Sequence, residues 1–255
     1  AVTGPAYAAP TVLQGEDFET FDLGTVRGQQ GWLIDLVGLS RGADIVQTAV
    51  AGFGDRTLMV NDFGRAENET FLPDRAFVRL VIDAQPAAST SIRLMDSISR
   101  FTNTRVFFNE TGGVDVLQVD PANPSPTQGV FVPTAGSWTL GRSTEIGVEI
   151  FPDGELVVWQ DRHRIFTGKD VVTDLFERGF LLQQPAGFDG LILENFRTGM
   201  DDGAGALFDN VRIEDLAEPI PAPGALWVAA LAGATASRRR RRAAGTAFWR
   251  RPPAP

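Results

Sequence analysis

An antiparallel β-sandwich is the fold class this sequence predicts, and three observations predict it. Short runs rich in Val, Ile and Phe alternate apolar and polar positions, the period of a strand with one buried face. Clusters of Gly, Pro, Asp and Asn separate the runs, within totals of 27 Gly and 16 Pro in 255 residues. No helical pattern lies between neighbouring runs to carry a crossover, so they are expected to meander as hairpins rather than form βαβ units. A chain of this length can bury one substantial core, and the domain is placed at residues 14–216.

Taken in order, Asp17-Phe18-Glu19-Thr20-Phe21 is the expected first strand. Residues 76–83 and 91–95 read as neighbouring strands. Residues 104–109 and 114–119 flank Thr111-Gly112-Gly113, which reads as a hairpin loop. Asp153-Gly154 separates 145–151 from 155–160, and Asp-Gly between alternating runs is a strong hairpin signal. A strand at 164–167 follows, then 190–196 and 207–213 as the last two. First and last strands are expected to lie together, because sandwich termini meet at the surface.

Composition excludes several chemistries. With no cysteine, there is no disulfide, thiolate metal site or Cys nucleophile. The single histidine, His163, excludes His-cluster metal sites and reads as a solvated turn residue. Net charge is −9; residues 218–255 hold seven Arg against Glu218, or +6, which leaves −15 on residues 1–217. Such an acidic body does not suit nucleic acid, whose phosphates need clustered cations.

Glycoside hydrolysis needs two carboxylates about 5–9 Å apart. Acids at i and i+2 of one strand share a face, so a Glu-x-Asp-x-Glu run would signal that chemistry. None is present, and Glu145, Glu149 and Glu155 are spaced otherwise. The domain is therefore expected to be non-catalytic. Two facing acids in a sheet groove would instead favour an exported polysaccharide hydrolase, and absence of any groove a purely structural role. Trp138 and Trp159 are the candidate sugar platforms, with Trp32 a third, although most tryptophans of a sandwich lie in its core.

Both ends read as sorting signals. Ala6-Tyr7-Ala8 fits the small-x-small rule of signal-peptide cleavage, so residues 1–13 are either a leader remnant or a disordered lead-in. Prolines 219, 221 and 223 hold residues 217–224 as an extended linker. Residues 225–237 form an uncharged, helix-competent run, and residues 238–255 open with Arg238, Arg239, Arg240, Arg241 and Arg242. Counted from Gly224, the run spans about 21 Å as a helix, against a hydrocarbon core of about 30 Å. The arginines would snorkel to headgroups and stay cytoplasmic, leaving the sandwich outside.

This order of parts resembles the PEP-CTERM sorting signal of bacterial surface proteins, with Ile220-Pro221-Ala222-Pro223-Gly224-Ala225 as its motif. The resemblance implies processing by an exosortase-type membrane enzyme, transient anchoring by the C-terminal tail, and a cell-surface or exopolysaccharide-matrix destination. Asp17-Phe18-Glu19, the segment Gly28-Gln29-Gln30-Gly31-Trp32, the 145–168 hairpins and the final Phe208-Asp209-Asn210-Val211-Arg212-Ile213 are together similar to concanavalin A-like lectin/glucanase jelly rolls. That resemblance implies a glycan as partner. It also implies a structural calcium tying first strand to last, with Glu19 and Asp209 as its candidate ligands.

Overall fold

The computed structural model describes residues 12–34, 42–61, 63–69, 71–72, 77–96, 101–122, 124, 129–183, 185–196 and 205–214. In chain order the strands begin with β1 (Val12–Glu16), β2 (Gly24–Thr25), β3 (Leu33–Ile34), β4 (Ala43–Gln47), β5 (Arg56–Val60) and β6 (Gly64–Asn68). Next come β7 (Arg79–Gln85), β8 (Thr90–Asp96), β9 (Phe101–Phe108), β10 (Gly113–Val119) and β11 (Gly129–Ser137). β12 (Thr144–Ile150), β13 (Glu155–Gln160) and β14 (His163–Lys169) lead to one helix, α1 (Val171–Glu177), and then β15 (Gly190–Asn195) and β16 (Ala206–Glu214).

These strands make two antiparallel sheets. The larger runs β14-β13-β12-β7-β16-β5-β4-β2, with β1 also paired to β16; the smaller runs β11-β10-β9-β8-β15-β6-β3. Alternation fills the space between them. Leu80 and Ile82 of β7, Ile146 and Val148 of β12, and Phe208 of β16 face Leu94 of β8, Val106 and Phe108 of β9, and Leu191 and Leu193 of β15. All are buried, each contributing about 1.5–3 kcal/mol. The hairpins turn where expected: Gly112 and Gly154 adopt φ of 84° and 81°, open to glycine at no steric cost.

Closure of the first strand on the last is observed, but with a different first strand. β1 pairs with β16 from Val12 opposite Glu214 to Glu16 opposite Val211. Asp17 to Phe21 is a turn instead: Phe18 has φ 60°, and the Phe21 N–H donates to the Phe18 carbonyl at 3.1 Å. The three-residue spacing of the two phenylalanines suits this turn, which sends both rings inward. They stack with Trp32 and Phe71 at centroid distances of 5.3, 5.8 and 6.2 Å along the chain of rings.

The helix is a second departure from the sequence reading. Val171-Val172-Thr173 is β-branched and disfavours helix locally. Capping overrides that preference, since Asp170 accepts from the backbone N–H groups of Val172 (3.1 Å) and Thr173 (3.2 Å). Val171 and Leu175 then bury against Val119 in a small cluster apart from the main core.

Beneath the larger sheet's outer surface, Arg79 of β7 lies buried between Glu149 of β12 and Glu214 of β16. Its Nε donates to Glu149 at 2.6 Å and its Nη1 to Glu214 at 3.3 Å.

Candidate functional site

The smaller sheet buries one set of side chains and turns the alternate set outward. Because Ala66, Ile92, Leu94, Val106, Leu191 and Leu193 enter the core, their neighbours Arg65 and Glu67 (β6), Ser91 and Arg93 (β8), Arg105 and Phe107 (β9), and Ile192 and Glu194 (β15) share the outer face. Register orders them into two rows. One runs Arg65, Glu194, Ser91, Phe107; the other runs Glu67, Ile192, Arg93, Arg105.

This face is sheltered. Glu194 is only 3% exposed and Ser91 and Ile192 are 0% exposed, although none points into the core. A buried carboxylate needs charged or hydrogen-bonding partners, and Glu194 has them. Its Oε2 accepts from Ser91 Oγ at 3.0 Å and from Arg105 Nη2 at 3.1 Å, while Oε1 lies 4.0 Å from Arg65 Nε. Arg105 Nε also donates to Ser91 Oγ at 3.0 Å, closing a triangle that fixes the carboxylate. Glu67 is held by Arg65. Because Glu194 stands opposite Arg65, Glu67 is its diagonal neighbour, about 7–8 Å away between Cα atoms.

Aromatic rings wall one side. The Arg105 guanidinium lies 5.0 Å from the Phe196 ring, 5.7 Å from Phe131 and 6.0 Å from Phe107. Phe107 and Phe131 pack at 5.1 Å, and Phe131 and Phe196 keep about two fifths of their surface in solvent. Carboxylates beside partly exposed rings, with rigid guanidinium groups between them, can bind a sugar ring by its apolar face and its hydroxyls together.

Sequence reasoning missed this pair because it sought both acids on one strand. The available signal was a lone Glu within the apolar run Gly190-Leu191-Ile192-Leu193-Glu194, where a charge needs a reason.

The two acids expected to share a cation do come together. β16 pairs with β5 as far as Phe208 and with β1 from Val211, and its register breaks between Asp209 and Arg212. At this break Asp209 is buried and accepts from the backbone N–H groups of Gly54 (2.7 Å) and Asn210 (2.8 Å). Glu19 accepts from the backbone N–H of Arg56 at 3.1 Å, so both carboxylates converge on residues 54–56. A Cβ on Gly54 would overlap the Glu19 carboxylate. Burial, with the charges of Glu19 and Asp83, pushes the Asp209 carboxyl up to about 6, against the opposing pull of the two backbone N–H groups. The two carboxylates offer oxygen donors of the kind calcium takes, and each already accepts from backbone N–H groups. Among the described residues no group of three or more acidic or histidine side chains converges, so backbone carbonyls or water would complete the shell.

The other expected residues lie elsewhere. Trp32 is fully buried in the core. Trp138 is wedged against it, donating its indole N–H to the Asn109 carbonyl at 2.9 Å and meeting Phe108 edge-on. Trp159 is on the outward side of the larger sheet, its side chain against Gly147, away from the carboxylate pair. His163 is exposed, opening β14 beside the Asp161–Arg162 turn. The sorting residues Ile220, Pro221, Ala222, Pro223, Gly224 and Arg238 to Arg242 lie outside the described residues. No helix among the described residues is long and apolar enough to cross a membrane.

No protein-family model and no curated protein matches the chain. Its fold is similar to the laminarinase of Rhodothermus marinus, at 12% identity and a TM-score of 0.54 over 82% of this chain and 99% of that one. It is similar to a GH16 protein of Bacteroides ovatus from a mixed-linkage glucan locus, solved with a product, at 12% identity and a TM-score of 0.52 over 79% and 100%. A third likeness, at 14% identity and a TM-score of 0.51 over 81% and 100%, is to a protein described among endo-acting O-glycanases of human gut bacteria that initiate mucin breakdown. The expectation of a non-catalytic domain is corrected on these findings, because the architecture is one that glycoside hydrolases use. The fold is a jelly-roll β-sandwich.

Proposed function

We propose that this protein is an exported polysaccharide hydrolase whose site is the outer face of the smaller sheet. The observation that carries the reading is the placement of Glu67 and Glu194 at diagonal positions on adjacent strands of that sheltered face. Both carboxylates flank the Arg65 guanidinium, Glu67 in contact with it and Glu194 at 4.0 Å, so two acids stand side by side as the two-carboxylate cleavage of a glycosidic bond requires. Glu67, the more exposed of the two, supplies the proton that the departing glycosidic oxygen takes up. Glu194, held by Arg105 and Ser91, either attacks the anomeric carbon or takes a proton from the attacking water. Phe107, Phe131 and Phe196 form the platform against which the sugar lies. Glu19 and Asp209 would hold a calcium that secures the β16 register break, far from the reacting bond in role.

Reducing-end release from a panel of neutral and acidic polysaccharides tests the proposal. Wild type should cleave at least one glycan, and Glu67→Gln and Glu194→Gln should each lose more than 100-fold in rate while folding normally. Release unaffected by both substitutions would overturn the assignment.

For the tail we propose exosortase-type sorting to the surface, supported by Ile220-Pro221-Ala222-Pro223-Gly224 ahead of an uncharged run and Arg238–Arg242. Mass spectrometry of protein recovered from its native cell surface should find a mature end near residues 219–225. An intact tail on a cytoplasmic protein would refute it.

A further inference from the structure

The hydrolase reading leaves the arginines of the same face unexplained. Arg65, Arg93 and Arg105 share a face whose carboxylates are Glu67, Glu194 and, opposite Phe107, Asp115, so cations match anions there on a domain that is otherwise strongly acidic. Arg65 and Arg105 are occupied with Glu67 and Glu194. Arg93 makes no such ion pair among the described residues, and its Nε is buried without a hydrogen-bond partner there. Arg93 also stands directly opposite Arg105, where like charges on adjacent strands destabilise the sheet. Burial pushes both guanidinium groups below the usual arginine range; Glu194 opposes this and Arg65 adds to it. Two desolvated, facing arginines, one with its Nε unpaired, are arranged to meet an anion, and the planar guanidinium matches a carboxylate two bonds at a time.

We propose that this site is selective for an acidic polysaccharide, with Arg93 receiving the carboxylate of a uronate residue. The inference rests on the hydrolase reading of the same face and narrows its substrate class. Glu67 and Arg105 lie at the ends of one row of four strands, about 14 Å apart, and Arg93 sits between them. A chain laid along that row meets the Glu67 carboxylate, the Arg93 guanidinium and the phenylalanine wall in turn. Selectivity arises because a neutral glycan leaves the Arg93–Arg105 repulsion in place, whereas an acidic one removes it.

The test compares polygalacturonate with the neutral glucan laminarin, measuring binding by calorimetry and cleavage by reducing-end release at two salt concentrations. Dextran sulfate is included to separate carboxylate from sulfate recognition. The proteins are wild type, Arg93→Gln, Arg93→Lys and, as a control distant from the face, Arg178→Gln. Wild type should bind polygalacturonate at least tenfold more tightly than laminarin, with affinity falling as salt rises. Arg93→Gln should erase that preference without lowering the melting temperature, since it relieves repulsion, and Arg93→Lys should restore it in part. Preference for dextran sulfate would overturn the carboxylate assignment. Cleavage of laminarin alone, or an unchanged preference in Arg93→Gln, would overturn the inference and leave the hydrolase reading standing. Failure to bind or cleave any glycan would overturn both.

Discussion

The register break in β16 makes a sharp prediction about pH and cations. Asp209 is raised to about 6 by burial and by the charges of Glu19 and Asp83. Between pH 4 and 6 the folded protein therefore holds a proton that the unfolded chain has already released. Stability contributed by this proton is fully present below the unfolded carboxylate value and is lost as pH rises through 6. The shift from 3.8 to about 6 corresponds to at most about 3 kcal/mol lost by pH 7, at no more than about 1.4 kcal/mol per pH unit. A divalent cation between Glu19 and Asp209 would oppose this loss, contributing about 2.7 kcal/mol at a hundredfold excess over its Kd. Urea denaturation of wild type and Asp209→Asn from pH 4 to 7.5, in chelator and in calcium, measures both effects. Glu16, Asp83 and Asp170 are also raised by burial, so the difference between the two proteins isolates Asp209. We expect a shallower pH slope in Asp209→Asn in chelator, and calcium stabilisation at pH 7 in wild type only. Equal slopes would refute the raised carboxyl, and an equal calcium response would refute the shared site.

Other substitutions probe the framework. Gly54→Ala should cost about 1–3 kcal/mol in urea denaturation and abolish any calcium response, because the new methyl overlaps the Glu19 carboxylate. Arg79→Ala should cost about 3–5 kcal/mol by leaving Glu149 buried without its cation and Glu214 with Arg212 alone, whereas Arg79→Met with both acids changed to Gln should recover most of it. Asp170→Ala should cost about 1–2 kcal/mol, since α1 loses its N-cap and Asn103 loses the acceptor that lies 3.2 Å from its amide.

What could be read from sequence was whatever local chemistry decides. Asp153-Gly154 turns a hairpin because Gly154 reaches positive φ, and the strands on either side followed from their alternation. β6 escaped notice because its inward residues, Gly64 and Ala66, are too small to print an apolar stripe. β11 lies at a sheet edge and is half-exposed along its length, which blurs its period. The turn at residues 17–21 was mistaken for a strand because its two phenylalanines carried the apolar signal that usually marks one. Glu19 and Asp209 lie 190 positions apart in sequence, and no local pattern shows that both accept from backbone N–H groups of residues 54–56. Glu67 and Glu194 are brought together only by the pairing of β6 with β15, a register set by long-range packing that no local pattern in either strand displays.

The pairing of β1 with β16 has a mechanical side. Val12 lies opposite Glu214, so the first and last described residues leave the pair at the same end. Tension between those two ends would load one rung of hydrogen bonds at a time, and β1 would peel away as a zipper opens. Tension applied to Glu214 against the smaller sheet acts differently. β16 is clasped lengthwise by β7, so that pull loads many rungs at once, in shear. Load applied between the end of β16 and the smaller sheet therefore meets the stronger axis of the pairing, and load between the ends of β1 and β16 the weaker one.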